Sequence, residues 1–201
     1  MTFRTLDFKC ALVTGGGGGI GRAISEYFLN QGKKVIIVGR TKSNLEAASK
    51  EMKDCPYYVL DTGKISAIPE FIKKIIQEHP ELDCLVNNAG VQRPLDVNEM
   101  SAEEFLEKAD QEVAINVSGP LHLAVGLLPH FRQKEGAVIM NVSSVLGFIP
   151  TSIINPVSPD DLTVVIDISA SLMHIPGLQR HKIFRTFLVN GAPHPTRARR
   201  R

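Results

Sequence analysis

Thr14-Gly15-Gly16-Gly17-Gly18-Gly19-Ile20-Gly21 stands between two segments of different period. Before it runs Cys10-Ala11-Leu12-Val13, short and apolar. After it Ile20, Ala23, Ile24, Tyr27 and Phe28 recur at helical spacing, up to Gly32. The order is strand, glycine turn, helix. Glycine permits a tight turn and lets a phosphate approach the main chain. The helix start offers unpaired N–H groups and the positive end of its dipole to an anion. A flexible glycine linker is the plain alternative, but linkers are not set between a buried strand and an amphipathic helix. The stretch therefore reads as a nucleotide-binding turn. Its spacing is not G-x-G-x-x-G. It is T-G-x-x-x-G-x-G, with Gly15, Gly19 and Gly21 in the fixed places.

The same alternation continues outward. Val35 to Val38 is a continuous apolar strand, and Ser43-Asn44-Leu45-Glu46 predicts a capping box opening a second helix. Tyr57 to Leu60 reads as a third strand. Ile68, Phe71, Ile72, Ile75 and Ile76 mark a third helix, with Pro69 in its first turn. Leu82 to Val86 is a fourth strand. Ser101 and Glu104 predict a second capping box, opening a long helix that runs past Asn116 and is bent by Pro120. Ala137 to Val142 is a fifth strand. Strands that are apolar throughout are buried on both faces, which predicts a parallel sheet covered by helices, a doubly wound α/β fold.

Composition agrees. The chain has 201 residues, of which 43% are hydrophobic and 22% charged. That suits one domain with its own core and excludes disordered and collagen-like classes. No apolar run is long enough for a membrane helix, and Met1 to Cys10 does not read as a signal peptide. Cys10, Cys55 and Cys84 are an odd number at spacings that suggest reduced thiols, so a cytoplasmic location is expected and no metal site is. Four arginines lie in 197–201, more than the whole formal net charge of +2, so the body of the chain is net negative. That argues against a nucleic-acid partner, and the arginines read as a solvated terminus.

Three further motifs follow the glycine turn in order: Asn87-Asn88-Ala89-Gly90, Asn116 within Ile115-Asn116-Val117-Ser118-Gly119, and Asn141-Val142-Ser143-Ser144. Together the four resemble the short-chain dehydrogenase/reductase family over roughly residues 8–157. The resemblance implies a Rossmann-like parallel sheet over 1–157, incomplete at its C-terminal side. It implies hydride transfer between a nicotinamide dinucleotide and a carbonyl or alcohol substrate. Thr14, Gly15, Gly17, Gly19, Ile20, Gly21, Arg40, Asp61, Asn88, Ala89 and Gly90 become candidates for cofactor binding. Ser144 and Asn116 become candidates for catalysis, Ser144 by hydrogen bonding the substrate oxygen and Asn116 by a helix kink and a held water. Ser143 is the adjacent fallback. Arg40 follows the second strand, where an acidic residue would bind the ribose of NAD. A guanidinium there pairs with a 2′-phosphate, so NADP(H) is favoured over NAD(H). Asp61 reads equally as an adenine contact and as a turn residue beside Thr62-Gly63.

The pattern then breaks. The family completes its site with Tyr-x-x-x-Lys, whose i, i+4 spacing puts both side chains on one helix face. Here Val157 and Ser158 stand near that place, Leu162 lies four beyond Ser158, and no tyrosine follows Tyr58. Two explanations stay open: a deleted catalytic helix, as by exon skipping or a misdrawn gene, or a frameshifted tail from Ser158. Residues 158–201 read as an atypical segment, with one strand over 162–168 and an irregular basic remainder. Family members commonly pack through the missing helix, which puts homo-oligomer assembly in doubt. Its loss should also bare apolar surface near Val138 and Ile139. His174 and His181 read as solvated histidines, not substitute acids. A catalytically impaired nucleotide-binding variant, or a truncated or mis-spliced product, is the alternative to an active oxidoreductase.

Overall fold

A computed structural model describes residues 8–93, 95, 99–144 and, for the backbone alone, 184–188. The first half alternates strictly: β1 (Cys10–Thr14), α1 (Gly19–Asn30), β2 (Lys34–Gly39), α2 (Lys42–Glu51), β3 (Tyr57–Val59) and α3 (Ile68–Glu78). Then come β4 (Cys84–Asn87), α4 (Ala102–Val113), a π-helical turn (Ala114–Ser118), α5 (Gly119–Phe131), β5 (Val138–Ser143) and β6 (Phe184–Leu188). The strands pair in parallel in the order β3-β2-β1-β4-β5-β6. The chain thus leaves β1 toward one edge and returns to build the other. That reversal opens a crevice beyond the carboxyl ends of β1 and β4.

Side chains alternate between two cores. Leu12, Ile36, Leu85 and Ile139 face Ile72 and Ile75 of α3 and Leu123 and Leu127 of α5. Val13, Val35, Ile37 and Val86 face Phe28 of α1 and Leu45 and Ala48 of α2. Both faces of the central strands are dry, as their continuous apolar runs require. At the opposite, amino-terminal edge the buried Asp83 carboxylate accepts the main-chain N–H groups of Lys9 and Cys10 at 2.8–2.9 Å, which fixes β1 beside β4.

Four expectations need correction. The Ser43 capping box does not form: α2 starts at Lys42 with Thr41 as its cap, and the Thr41 side chain makes no cap bond. Only Arg40 and Thr41 separate Gly39 from the helix, so Ser43 already lies in the first turn. Ser101, by contrast, caps α4 as predicted, accepting from Glu104 N at 3.1 Å. The long helix is divided by the π-helical turn around Asn116, and Pro120 sits in the first turn of α5. Proline has no N–H for the Asn116 carbonyl, so α-helical pairing cannot run through that point. Val138 and Ile139 are not bared: they are 6% and 1% exposed, each packed into one of the two cores. Finally, β6 lies at Phe184–Leu188, in the stretch read as irregular, while the strand expected over 162–168 lies outside the described residues.

Candidate functional site

The rim of the crevice is built at strand ends. Thr14 ends β1, and its hydroxyl is fully spent. It donates to Val86 O at 3.2 Å and accepts from Asn88 N and Ala89 N, both at 3.0 Å. Asn88 returns the contact, donating through Nδ2 to Thr14 O at 2.9 Å. Thr14 therefore joins the β1 turn to the β4 turn.

The glycine turn closes on Asn88. Gly15 has φ +68°, and a Cβ there would lie 2.8 Å from Asn88 Nδ2. A Cβ on Gly21 would lie 2.4 Å from both Asn88 Nδ2 and Gly15 O. Neither position admits a side chain. Gly16 N donates to Val38 O at 3.2 Å, which draws the turn over the end of β2. The N-cap of α1 is Gly18, with no side-chain cap and no acidic residue in the first turn. Its first N–H groups thus keep their capacity for an external anion.

Gly15, Ile20, Arg40, Asn88, Ala89 and Gly90 line one cavity of about 320 Å³. Gly17 packs against Leu45, Gly19 opens α1 at φ +52°, and Gly21 is buried; these three shape the turn and are not part of the cavity lining. Asp61 is exposed, and its Oδ1 accepts Gly63 N at 2.9 Å, the geometry of its turn reading. The neighbouring Thr62, buried, lines the cavity instead, with Val38, Leu60, Val91 and Ile115. Each of these adjoins a singled-out residue or a strand end. Their side-chain directions depend on register, which the motif alone does not carry.

Asn116 occupies the π-helical turn, and its amide is spent on one residue. Oδ1 accepts Val91 N at 2.8 Å and Nδ2 donates to Val91 O at 2.7 Å. Ser144 directly follows β5 at the same rim, half-buried, outside the cavity lining. At the foot of the rim Asn87 Nδ2 donates to Asn141 Oδ1 at 2.9 Å, while the buried Asn87 Oδ1 has no donor among the described residues. Among the described residues no cluster of His, Cys, Asp or Glu could hold a metal, and no helix is long and apolar enough to cross a membrane.

A glycine turn at β1, an uncapped helix start and a clamped Asn-Asn-Ala-Gly turn at β4 form one constellation. Residues 9–156 match the sequence profile of the short chain dehydrogenases. The chain belongs to the short-chain dehydrogenase family. Among relatives, it is 32% identical over 142 residues to the uncharacterized oxidoreductase DltE of Bacillus subtilis, covering 71% of this chain and 56% of that one. It is 32% identical over 146 residues to the 3-oxoacyl-[acyl-carrier-protein] reductase FabG of Thermotoga maritima, covering 71% and 58%. The chain thus spans little more than half the length of these curated relatives. Among solved structures it superposes on L-sorbose reductase of Gluconobacter frateurii, complexed with NADPH and L-sorbose. The TM-score is 0.64 at 26% identity, over 73% of this chain and 56% of that one. This short-chain dehydrogenase fold is one that binds a nicotinamide dinucleotide, and the cavity over β1 and β4 lies where such folds take it.

Proposed function

We propose that the crevice binds NADP(H) and that the chain is, by family, an oxidoreductase moving hydride between nicotinamide and a carbonyl or alcohol carbon. The observation that carries this is a cavity that joins the uncapped α1 N-terminus to Arg40. The N–H groups of α1 hold the pyrophosphate. Arg40 is exposed at the cavity wall, makes no ion pair among the described residues, and takes the 2′-phosphate bidentately. The donor set fits: main-chain N–H groups for a pyrophosphate and a guanidinium for a phosphate, on the wall of one cleft. A bound nicotinamide supplies or accepts the hydride. Ser144 donates its hydroxyl to the substrate oxygen and orients the carbon to be reduced.

Titration calorimetry tests the binding half. Saturable uptake of NADPH is expected, and Arg40→Ala should lower the preference for NADPH over NADH by about tenfold, the worth of a charge-assisted hydrogen bond. Equal affinity for the two coenzymes in the wild type would remove the 2′-phosphate assignment. No uptake of either would remove the reading.

One observation favours a second reading, a nucleotide binder with impaired catalysis: the sequence has no tyrosine after Tyr58. Loss of a general acid costs about 10²–10⁴ in rate. Steady NADPH consumption with a ketone and aldehyde panel, lowered by Ser144→Ala, separates the two. Binding without turnover selects the second.

A further inference from the structure

Glu112 is 5% exposed, on a helix whose neighbouring Gln111 and Asp110 lie in solvent. A carboxylate at such a position costs several kcal/mol to bury unless a specific partner meets it, and an apolar residue would pack there at less cost. One such partner is a main-chain donor: Glu112 Oε2 accepts Arg93 N at 3.1 Å. One turn on, Asn116 takes both polar groups of Val91. Just before Glu112, Gln111 meets the Arg93 guanidinium. The segment that follows Asn88-Ala89-Gly90 is thus hung from one stripe of α4 and the π-helical turn, and its Val91 lines the cavity.

The topology says which part of a ligand this wall faces. Arg40, Val38 and Leu60 lie at the β2–β3 end of the cavity, where the adenosine half rests in open parallel sheets. Residues 88–93 lie on the other side of β1, beyond β4. We infer that Glu112 is a positioning residue: with Asn116 it fixes residues 91–93 as the wall over the nicotinamide half of the dinucleotide. The inference rests on the dinucleotide reading above.

A positioning role makes its effect selective for one half of the ligand. Glu112→Ala should weaken NADPH by about tenfold, the scale of one lost main-chain hydrogen bond, while 2′,5′-adenosine bisphosphate binds within about twofold of wild type. Glu112→Gln keeps an accepting oxygen and should restore NADPH binding. Because a cavity at 112 could unfold the chain, the other end is tested too. Arg93→Pro deletes the N–H and should reproduce the selective loss, whereas Arg93→Ala keeps the N–H and should not. Unchanged NADPH affinity in both Glu112→Ala and Arg93→Pro, or equal weakening of both ligands, overturns the inference. Wild-type protein that takes up neither ligand overturns the dinucleotide reading first and this inference with it.

Discussion

At the scale of single residues, the glycine turn separates positions that look alike in the sequence. Gly18 and Gly21 are three apart, yet a Cβ at Gly18 meets nothing within 4 Å, and one at Gly21 meets Asn88 Nδ2 and a main-chain oxygen at 2.4 Å. Gly18→Ala should therefore cost at most about 1 kcal/mol, from the poorer N-cap alone. Gly21→Ala should cost about 1–3 kcal/mol, because neither the Gly15 carbonyl nor the clamped Asn88 can withdraw. Urea unfolding midpoints of the two variants decide this, and equal midpoints would contradict the packing described. The thiols make a second contrast with their surroundings. Burial, reinforced by Glu81 and Asp83, pushes Cys10 up to about 12, and burial likewise raises Cys55 and Cys84. The thiolate is the reactive form, so iodoacetamide at pH 8 should label none of the three until denaturant is added. The expectation of reduced cysteines came from their odd number and their spacings; their inertness depends on the fold that buries them.

Among the elements, the two helices predicted to carry capping boxes behave differently. Ser101 accepts from Glu104 N, and Ser101→Ala should cost about 1 kcal/mol. Thr41 makes no such bond, and Thr41→Ala should leave thermal stability nearly unchanged. If both alanine variants melted alike, the assignment of the α4 cap would be wrong. The π-helical turn is the other element that composition does not announce. A Cβ on Gly119 would lie 2.4 Å from Thr62 O, so the start of α5 is pressed onto the turn after β3. Gly119→Ala should cost about 1–3 kcal/mol in denaturant unfolding and weaken coenzyme binding as well, since Thr62 lines the cavity. Pro120 signals that the helix cannot run regularly there. It does not tell that the irregularity takes the form of a wide turn, which tertiary contact with Thr62 and Val91 selects.

For the molecule as a whole, one half-buried histidine links stability to pH. His130 is held near Leu82 O at 2.9 Å, joining the end of α5 to the entry of β4. Burial lowers its pKa, opposed by the Leu82 carbonyl and aided by nearby Lys134. The folded protein then holds a proton less readily than the unfolded chain, so this contribution is intact above about pH 6.5 and declines as pH falls below it. His130→Gln should flatten the stability profile between pH 5 and 7; an unaltered slope would show that other groups set it. The parallel sheet was legible because a strand dry on both faces must be apolar along its whole length, and the nucleotide turn because only glycine fits φ +68° and a contact with Asn88. Asp61 shows the limit: its neighbourhood allowed a ligand contact and a turn equally, and the structure shows the bond to Gly63 N. Chain order by itself determined the alternation of elements, the two-sided burial and the residues that gather at the strand ends, since these follow from local periodicity and steric need. Tertiary structure alone decided that Thr14 and Asn116 spend their polar groups on main chain, that Thr62 and Val91 form the wall, and that Glu112 is buried at all. Such roles depend on which distant backbone groups arrive within hydrogen-bond reach, and no local pattern encodes a distance across the sheet.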